Sequence, residues 1–191
     1  MPRLQDILID HPRILLVGIN PSPRSASSGH HFAGPANPFW RLMHASGLVP
    51  IALTHEEDGR LAEFGFAITN VCSRATRAAS ELKREELDRG ERVLTRKIRK
   101  LGPRVVAFVG VSIYRRYFGP SAASGAGVKP ETIAGARVFA LPNPSGLNAS
   151  FPGFKDKLIW YEALREFSDE LEAQAAAAKI KRAAATPSGS A

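Results

Sequence analysis

The chain has 191 residues, of which 44% are hydrophobic, and both values are typical of one globular domain with a sizeable core. No apolar run approaches the ~18 residues of a membrane-spanning helix, and the first residues lack the apolar segment of a signal peptide, so the cytoplasm is the expected compartment. The single cysteine, Cys72, excludes an internal disulfide and a four-cysteine zinc or iron–sulfur site. Metal chemistry would have to rest on histidines and carboxylates, and no HExxH-like spacing occurs.

The charge is strongly basic, with 26 lysines and arginines against 18 acidic residues and a formal net charge of +8. A basic domain of this size is a candidate for binding nucleic acid, because lysine and arginine neutralise phosphates. A protein that merely carries an excess of basic surface side chains is the alternative that charge leaves open.

Short apolar runs alternate along the chain with segments of helical apolar spacing. The apolar runs are nearly continuous, which is typical of strands covered on both faces. In chain order the predicted elements are a strand at Arg13–Ile19, a helix at Asn37–Leu48, a strand at Phe66–Thr69, a helix at Glu85–Leu101, a strand at Arg104–Val109, a helix at Val111–Phe118, a strand at Arg137–Leu141 and a helix at Phe154–Leu171.

Strands separated by helices predict an α/β fold, a three-layer α/β/α sandwich with a central, mostly parallel sheet of about four to five strands. We expect residues 1–171 to form a single domain. Residues 172–191 are rich in alanine with a few lysines, and we expect this tail to extend the last helix and then fray.

Three of the predicted strands are followed by loops that contain asparagine, namely Asn20, Asn70 and Asn143. Ligands of open α/β sheets bind outside the carboxyl ends of the strands, so these side chains are expected to converge on one site. Asparagine also favours turns, which is the alternative for each position taken singly.

Three motifs lie at these strand ends: GINP at 18–21 followed by GHHFAGPANPFW at 29–40, GFAITN at 65–70 continuing to RAT at 74–76, and NPSGLNAS at 143–150. Together, in this order and spacing, they resemble the motifs of the mismatch-specific uracil/thymine-DNA glycosylases, the double-strand-specific branch of the uracil-DNA glycosylase superfamily. The resemblance covers roughly residues 13–167. It implies a uracil-DNA glycosylase-like fold and a monofunctional, monomeric enzyme that excises uracil from mispaired double-stranded DNA, the first step of base excision repair.

The resemblance assigns Asn20 to positioning the attacking water and gives Asn143 a supporting catalytic role, with a loop-capping amide as the alternative for Asn143. An amide does not deprotonate water, but it holds a water in line by hydrogen bonding. Such catalysis suffices when the base leaves as a delocalised anion, as uracil does.

The base pocket implied by the resemblance contains Ile19, Ser25, His31, Phe32 and Asn70. Phe32 matches the aromatic residue that stacks on the flipped base, with simple core packing as the alternative. Asn70 matches a residue that contacts the base edge, with a turn residue as the alternative. Ser25 lies near the pyrimidine C5 and favours uracil over thymine. His31 tunes the pocket or contacts the DNA backbone, with a surface histidine as the alternative.

The segment from Ser145 to Ala149 matches the wedge that enters the duplex and contacts the opposite strand. Leu147 is the expected wedge, while main-chain groups of Gly146 and Ala149 are expected to read the widowed guanine, with Asn148 between them. Ala149 stands where the best-known bacterial pattern has arginine, so a weaker grip on the opposite strand is expected. Candidate phosphate contacts, or simply solvated charges, are Arg24, Lys155 and Lys157.

No lysine stands in a motif as a Schiff-base nucleophile, so lyase activity is not expected. The rival interpretation is a catalytically silent module that binds mispairs or abasic sites and uses Leu147 but not Asn20. Hydrolysis of a free nucleoside or nucleotide is a third possibility, against which the wedge segment argues.

Overall fold

A mixed β-sheet forms the centre of the molecule in the computed structural model, which describes residues 4–145 and 150–184. In this part of the chain the sheet has five strands in the order β2-β1-β3-β5-β4. All neighbours are parallel except β4 and β5, which are antiparallel. The strands are β1 (Ile14–Gly18), β2 (Phe66–Asn70), β3 (Val105–Val109), β4 (Gly127–Ile133) and β5 (Ala136–Leu141).

Helices cover both faces of this sheet. One face packs against α2, α5 and a 3₁₀ segment, and the other face packs against α3 and α4. Alternate residues of β1 therefore enter different cores, and the whole strand is buried. The helices are α1 (Pro23–Ser28), α2 (Phe39–Ala45), α3 (Arg84–Leu101), α4 (Val111–Phe118) and α5 (Phe154–Ala184), with 3₁₀ segments at His55–Phe64 and Ala79–Glu81.

The predicted three-layer α/β sandwich is confirmed, with one strand that the apolar runs did not indicate. Strand β4 alternates buried and exposed side chains because it lies at the edge of the sheet. It contains Pro130, and its pairing shifts register between Lys129 and Thr132. Proline is tolerated at sheet edges and irregularities because its nitrogen donates no hydrogen bond.

Helix α2 spans Phe39–Ala45 and is shorter at both ends than the predicted Asn37–Leu48. Its N-cap is Pro38, and Asn37 lies in the turn before it, where its Oδ1 accepts a hydrogen bond from the Phe39 N–H (3.0 Å). Helix α5 continues past Leu171 to Ala184, in line with the expected extension of the last helix into the alanine-rich tail, since alanine is the strongest helix former.

Helix α5 runs from the carboxyl edge of the sheet to its amino edge. Arg13, which precedes β1, pairs with Asp169 at 2.5 Å, and Arg104, which precedes β3, pairs with Glu172 at 3.5 Å. The helix from Glu172 to Ala184 therefore extends beyond the amino edge by roughly 18 Å, at 1.5 Å per residue. Within the described residues no helix has the length and apolar character needed to cross a bilayer.

The four parallel strands end at one edge of the sheet, which brings the asparagine loops together. Gly18 of β1 lies opposite Asn70 of β2, and Val109 of β3 lies opposite Leu141 of β5. Asn20 follows β1 by two residues, and the loop with Asn143 follows β5. The expected convergence at the carboxyl edge follows from this register.

Candidate active site

A pocket of about 480 Å³ opens at the carboxyl edge, between the ends of β1 and β2 and the loop before α2. All of the predicted catalytic and base-pocket residues contribute to its wall, together with one residue of the predicted wedge. They are Ile19, Asn20, Ser25, His31, Phe32, Asn70, Asn143 and Ser145. The other predicted wedge residues, Gly146, Leu147, Asn148 and Ala149, lie outside the described residues.

The amide of Asn20 is held in one orientation. Its nitrogen donates hydrogen bonds to Thr76 Oγ1 (2.7 Å), the Arg74 carbonyl (2.9 Å) and the Pro21 carbonyl (3.3 Å). The Thr76 hydroxyl in turn donates to the Ala78 carbonyl (2.8 Å). Because all these partners accept, the nitrogen is turned toward them, and Oδ1 is left as the acceptor that can hold a water.

The loop that supplies these acceptors is itself fixed. The ladder between β1 and β2 continues past both strands, because Cys72 N–H donates to the Ile19 carbonyl at 2.8 Å and Thr76 N–H to the Pro21 carbonyl at 3.2 Å. Arg74 pairs with both carboxylate oxygens of Glu86, at 2.7 and 2.8 Å, and lowers the pKa of Glu86 to about 2. The loop that orients the Asn20 amide is therefore itself held in place by main-chain hydrogen bonds and an ion pair.

Asn70 ends β2 with its side chain over Gly18. A Cβ atom at Gly18 would lie 2.4 Å from Asn70 Oδ1, so only glycine leaves room for this amide. The amide of Asn70 makes no hydrogen bond within the described residues, although it lines the pocket. It is thus available to a polar ligand and does not close a local turn.

Phe32 provides a flat apolar wall of the pocket. Its ring stacks on Phe39 of α2, with centroids 3.8 Å apart and an angle of 18° between the planes. Phe39 is fixed in turn by edge contacts with Trp40 (5.1 Å) and Tyr161 (6.5 Å). Phe32 is only half-buried, so it packs against the core while it also borders the pocket.

Three side chains from two helices, α1 and α2, hold the backbone around Phe32. The Trp40 indole donates to the His31 carbonyl (3.2 Å), and the buried Ser25 Oγ accepts from the Ala33 N–H (3.2 Å). Arg24 donates its Nε–H to the Ala33 carbonyl (2.7 Å), so this arginine is already engaged with the pocket loop. Ser25 thus supports the loop in addition to bordering the pocket.

His31 is buried, which contradicts the alternative of a surface histidine. Its Nε2 lies 2.9 Å from the Gln5 carbonyl, and this nitrogen carries the proton because a carbonyl oxygen only accepts. Desolvation lowers the pKa of His31, so the ring is neutral at pH 7 with an unprotonated Nδ1.

Asn143 is exposed at the mouth of the pocket. Its Oδ1 accepts a hydrogen bond from the Ser145 N–H (2.9 Å), which is the local turn contact expected of a capping amide. Asn143 therefore caps the loop after β5 and borders the pocket at the same time.

The prediction that Lys157 contacts phosphate is wrong. Its side chain is buried, and its Nζ donates to the Phe151 carbonyl at 2.5 Å. Helix spacing explains the burial, since Lys157 lies one helical turn before the buried Tyr161 of α5. Lys155 is exposed and stays a predicted contact.

Two polar residues of the site had no role assigned from the sequence. Thr76 holds Asn20 across 56 positions, and Asp58 accepts from His31 N–H (2.7 Å) across 27 positions. Thr76 lies within one of the three motifs, so its presence there was the available signal. Asp58 lies in a polar helix start with no local pattern that distinguishes it from Glu56 or Glu57.

The described part of the pocket wall contains amides, hydroxyls, a neutral histidine and an aromatic ring, but no carboxylate. Elsewhere in the described residues no three His, Cys, Asp or Glu side chains gather as a metal site. Such a wall suits a flat polar ring and a bound water, and it offers no pair of carboxylates for acid–base cleavage of a glycosidic bond.

The fold and this pocket define an α/β protein with a ligand site at the carboxyl edge of its sheet. The model of the uracil DNA glycosylase superfamily matches residues 6–181, and the chain belongs to this superfamily. Membership supports uracil DNA glycosylase activity, the hydrolysis of a base from DNA.

A solved structure agrees with this fold. It is a solution NMR structure of a Methanosarcina acetivorans protein described as a candidate uracil DNA glycosylase. It is 18% identical to this chain, with a TM-score of 0.58, and the similarity covers 86% of this chain and 96% of that one. At this identity the similarity shows the shared fold.

Proposed function

We propose that this chain is a monofunctional DNA glycosylase that flips uracil out of mispaired double-stranded DNA and hydrolyses its N-glycosidic bond without a metal or cofactor. The observation that carries the proposal is the fixed amide of Asn20, whose nitrogen is held at 2.7 Å by Thr76. The net charge of +8 supports a DNA partner.

Asn20 acts on the nucleophile. Its Oδ1 accepts a hydrogen bond from a water and holds that water beside the sugar C1′ of the flipped nucleotide. The described part of the pocket wall has no carboxylate to remove a proton before the bond breaks, so the glycosidic bond must open largely by itself. Water then attacks the oxocarbenium-like sugar and passes its proton to solvent or to the departing base.

Phe32 and Asn70 act on the base. The uracil ring stacks on the face of Phe32 that Phe39 does not cover, and Asn70 presents its unbonded amide to the base edge. Hydrogen bonds that strengthen as the base becomes an anion lower the barrier. Asn143, in the loop after β5 at the pocket mouth, has a supporting catalytic role.

The side chains of the pocket wall determine which bases are excised. Ser25 and the neutral His31 lie where they would meet substituents of the ring, and we propose that Ser25 favours uracil over thymine. A methyl group in such a pocket discriminates by only about 1–3 kcal/mol. Related bases such as ethenocytosine, hypoxanthine or xanthine are further candidate substrates.

The central test is Asn20→Ala, measured by single-turnover cleavage of a duplex with one G·U mispair. We expect a loss of at least about 100-fold in rate, since the water loses the fixed Oδ1 acceptor of Asn20, with unchanged affinity for the mispaired duplex. Gln174→Ala, an amide truncation at the far end of α5, is the matched control and should cleave normally. Wild-type cleavage by Asn20→Ala would refute the assignment.

The rival of a catalytically silent DNA-binding module is separated by the same duplex. Alkali-labile breaks at the uracil after incubation with the wild-type chain support the glycosylase, whereas binding without breaks supports the silent module. A panel with one modified base opposite each normal base then defines substrate range and mispair preference. Cleavage of free deoxyuridine at a comparable rate would favour a nucleoside hydrolase instead.

A further inference from the structure

Phe32 holds an unusual backbone conformation. Its φ angle is 52°, in the left-handed region that residues with a side chain rarely adopt. Strain of this kind persists only where the surrounding structure fixes it. The conformation matters because it sets the direction in which the Phe32 ring leaves the chain toward Phe39 and the pocket.

Asp58 is attached to the two residues that immediately precede Phe32. Its Oδ2 accepts from the His31 N–H at 2.7 Å, and its Oδ1 lies 3.1 Å from His30 Nδ1. The His30 ring also meets His55 edge to face, with centroids 6.0 Å apart. One carboxylate from the 3₁₀ segment His55–Phe64 therefore fixes both a backbone and a side-chain group of this loop.

The burial of Asp58 makes these contacts specific. The residue is only 7% exposed, and a buried carboxylate is tolerated where hydrogen bonds replace its hydration. The donors that replace this hydration are His30 Nδ1 and the His31 N–H. Moving either donor away would leave a desolvated charge on Asp58. On the other side of Phe32, Ser25 accepts from Ala33, so the strained residue is held from both directions.

We propose that Asp58 is a positioning residue for base binding: its carboxylate holds His30 and His31 so that Phe32 keeps its left-handed conformation and presents its ring to the flipped base. Asp58 does not border the pocket and acts through Phe32 alone. The inference rests on the proposed function. It deepens that function by giving the 3₁₀ segment His55–Phe64, which lies outside the three motifs, a role in stacking on the base.

A double-mutant cycle tests whether Asp58 acts through Phe32. Asp58→Ala should slow single-turnover cleavage of a G·U duplex by about tenfold or more, within the range that loss of one base–aromatic stack produces. In the Phe32→Ala background the same change should alter the rate by less than about twofold, because the platform is already absent. Equal effects in both backgrounds would overturn the proposal.

Two further variants separate positioning from general destabilisation. Asp58→Asn should restore most of the rate, because its oxygen accepts from His31 N–H while its NH₂ donates to an unprotonated His30 Nδ1. Glu56→Ala removes an exposed carboxylate from the same segment and should have no effect. All rates are compared at a temperature well below the unfolding midpoint of each variant, and failure of Asp58→Asn to exceed Asp58→Ala contradicts the proposal.

A measurement without DNA tests the positioning role of Asp58 separately from the proposed function. With ring-labelled phenylalanine, Asp58→Ala should shift the NMR signals of Phe32 and Phe39 while those of Phe108, in the other core, stay in place. If the wild-type chain leaves uracil in DNA uncleaved but these signals shift, the function fails and the positioning stands. Unchanged Phe32 signals would overturn the positioning itself.

Discussion

Thr76 is the single residue on which the orientation of Asn20 depends most closely. Its hydroxyl accepts from Asn20 at 2.7 Å and donates to the Ala78 carbonyl at 2.8 Å. The direction of both bonds is fixed because a carbonyl only accepts, so the amide nitrogen and oxygen of Asn20 cannot exchange places without leaving Thr76 with two acceptors.

Thr76→Val keeps the shape of the side chain and removes the acceptor. We expect about a fivefold loss in single-turnover cleavage of a G·U duplex, as one hydrogen bond contributes about 1 kcal/mol and its removal leaves the amide less well oriented. Affinity for the mispaired duplex should not change. Thr76→Ser should recover the rate, and a Thr76→Val variant as fast as wild type would show that the hydroxyl does not orient Asn20.

Helix α5 supports the pocket wall through the aromatic side chain of Tyr161. Tyr161 is fully buried and touches the edge of Phe39, the ring that backs Phe32. Its hydroxyl finds no hydrogen-bond partner in the part of the chain that the structure describes. Burial raises the pKa of the Tyr161 phenol above its usual range, so the group is neutral and unsatisfied at all ordinary pH values.

Tyr161→Phe should therefore raise the free energy of unfolding by about 1 kcal/mol, because it removes an unsatisfied buried hydroxyl while keeping the ring. Urea denaturation measures the change, with an unaltered m-value as the sign that the same surface is exposed. Cleavage of a G·U duplex should not change. A loss of stability on this substitution would mean that the hydroxyl has a partner after all.

At the scale of the whole molecule, α5 begins at the carboxyl edge of the sheet and continues past its amino edge. The pairs Arg13–Asp169 and Arg104–Glu172 mark the amino edge, whereas the pocket lies at the carboxyl edge. The basic residues Lys179, Lys181 and Arg182 follow after the amino edge. We propose on this ground that the catalytic domain ends before Gln174 and that the helix from Gln174 to Ala184 lies away from DNA bound at the pocket.

Deleting residues 174–191 removes three positive charges, yet cleavage of a G·U duplex should stay within about twofold of wild type. The dependence of DNA affinity on salt should also keep its slope, because that slope falls by about one for every phosphate that a protein ceases to neutralise. A measurably smaller slope would show that the tail does bind DNA.

The sequence indicated the layers and the convergence of Asn20, Asn70 and Asn143 because parallel strands end at one edge whatever their order. It did not indicate β4, because an edge strand with alternating buried and exposed side chains and a proline resembles a loop in the sequence. It also assigned no partner to Asn20 or His31, since Thr76 and Asp58 reach them only after folding. Long-range hydrogen bonds leave no periodic signal in a chain.

The pairing of Gly18 with Asn70 has a consequence for protein engineering. Sliding β2 by one residue would exchange the faces of all its side chains, so the spacing of the two asparagine loops is set by the sheet and tolerates no insertion within either strand. A library aimed at a new base preference should therefore vary residues 22–37, which comprise α1 and the loop after it, and leave both strands intact.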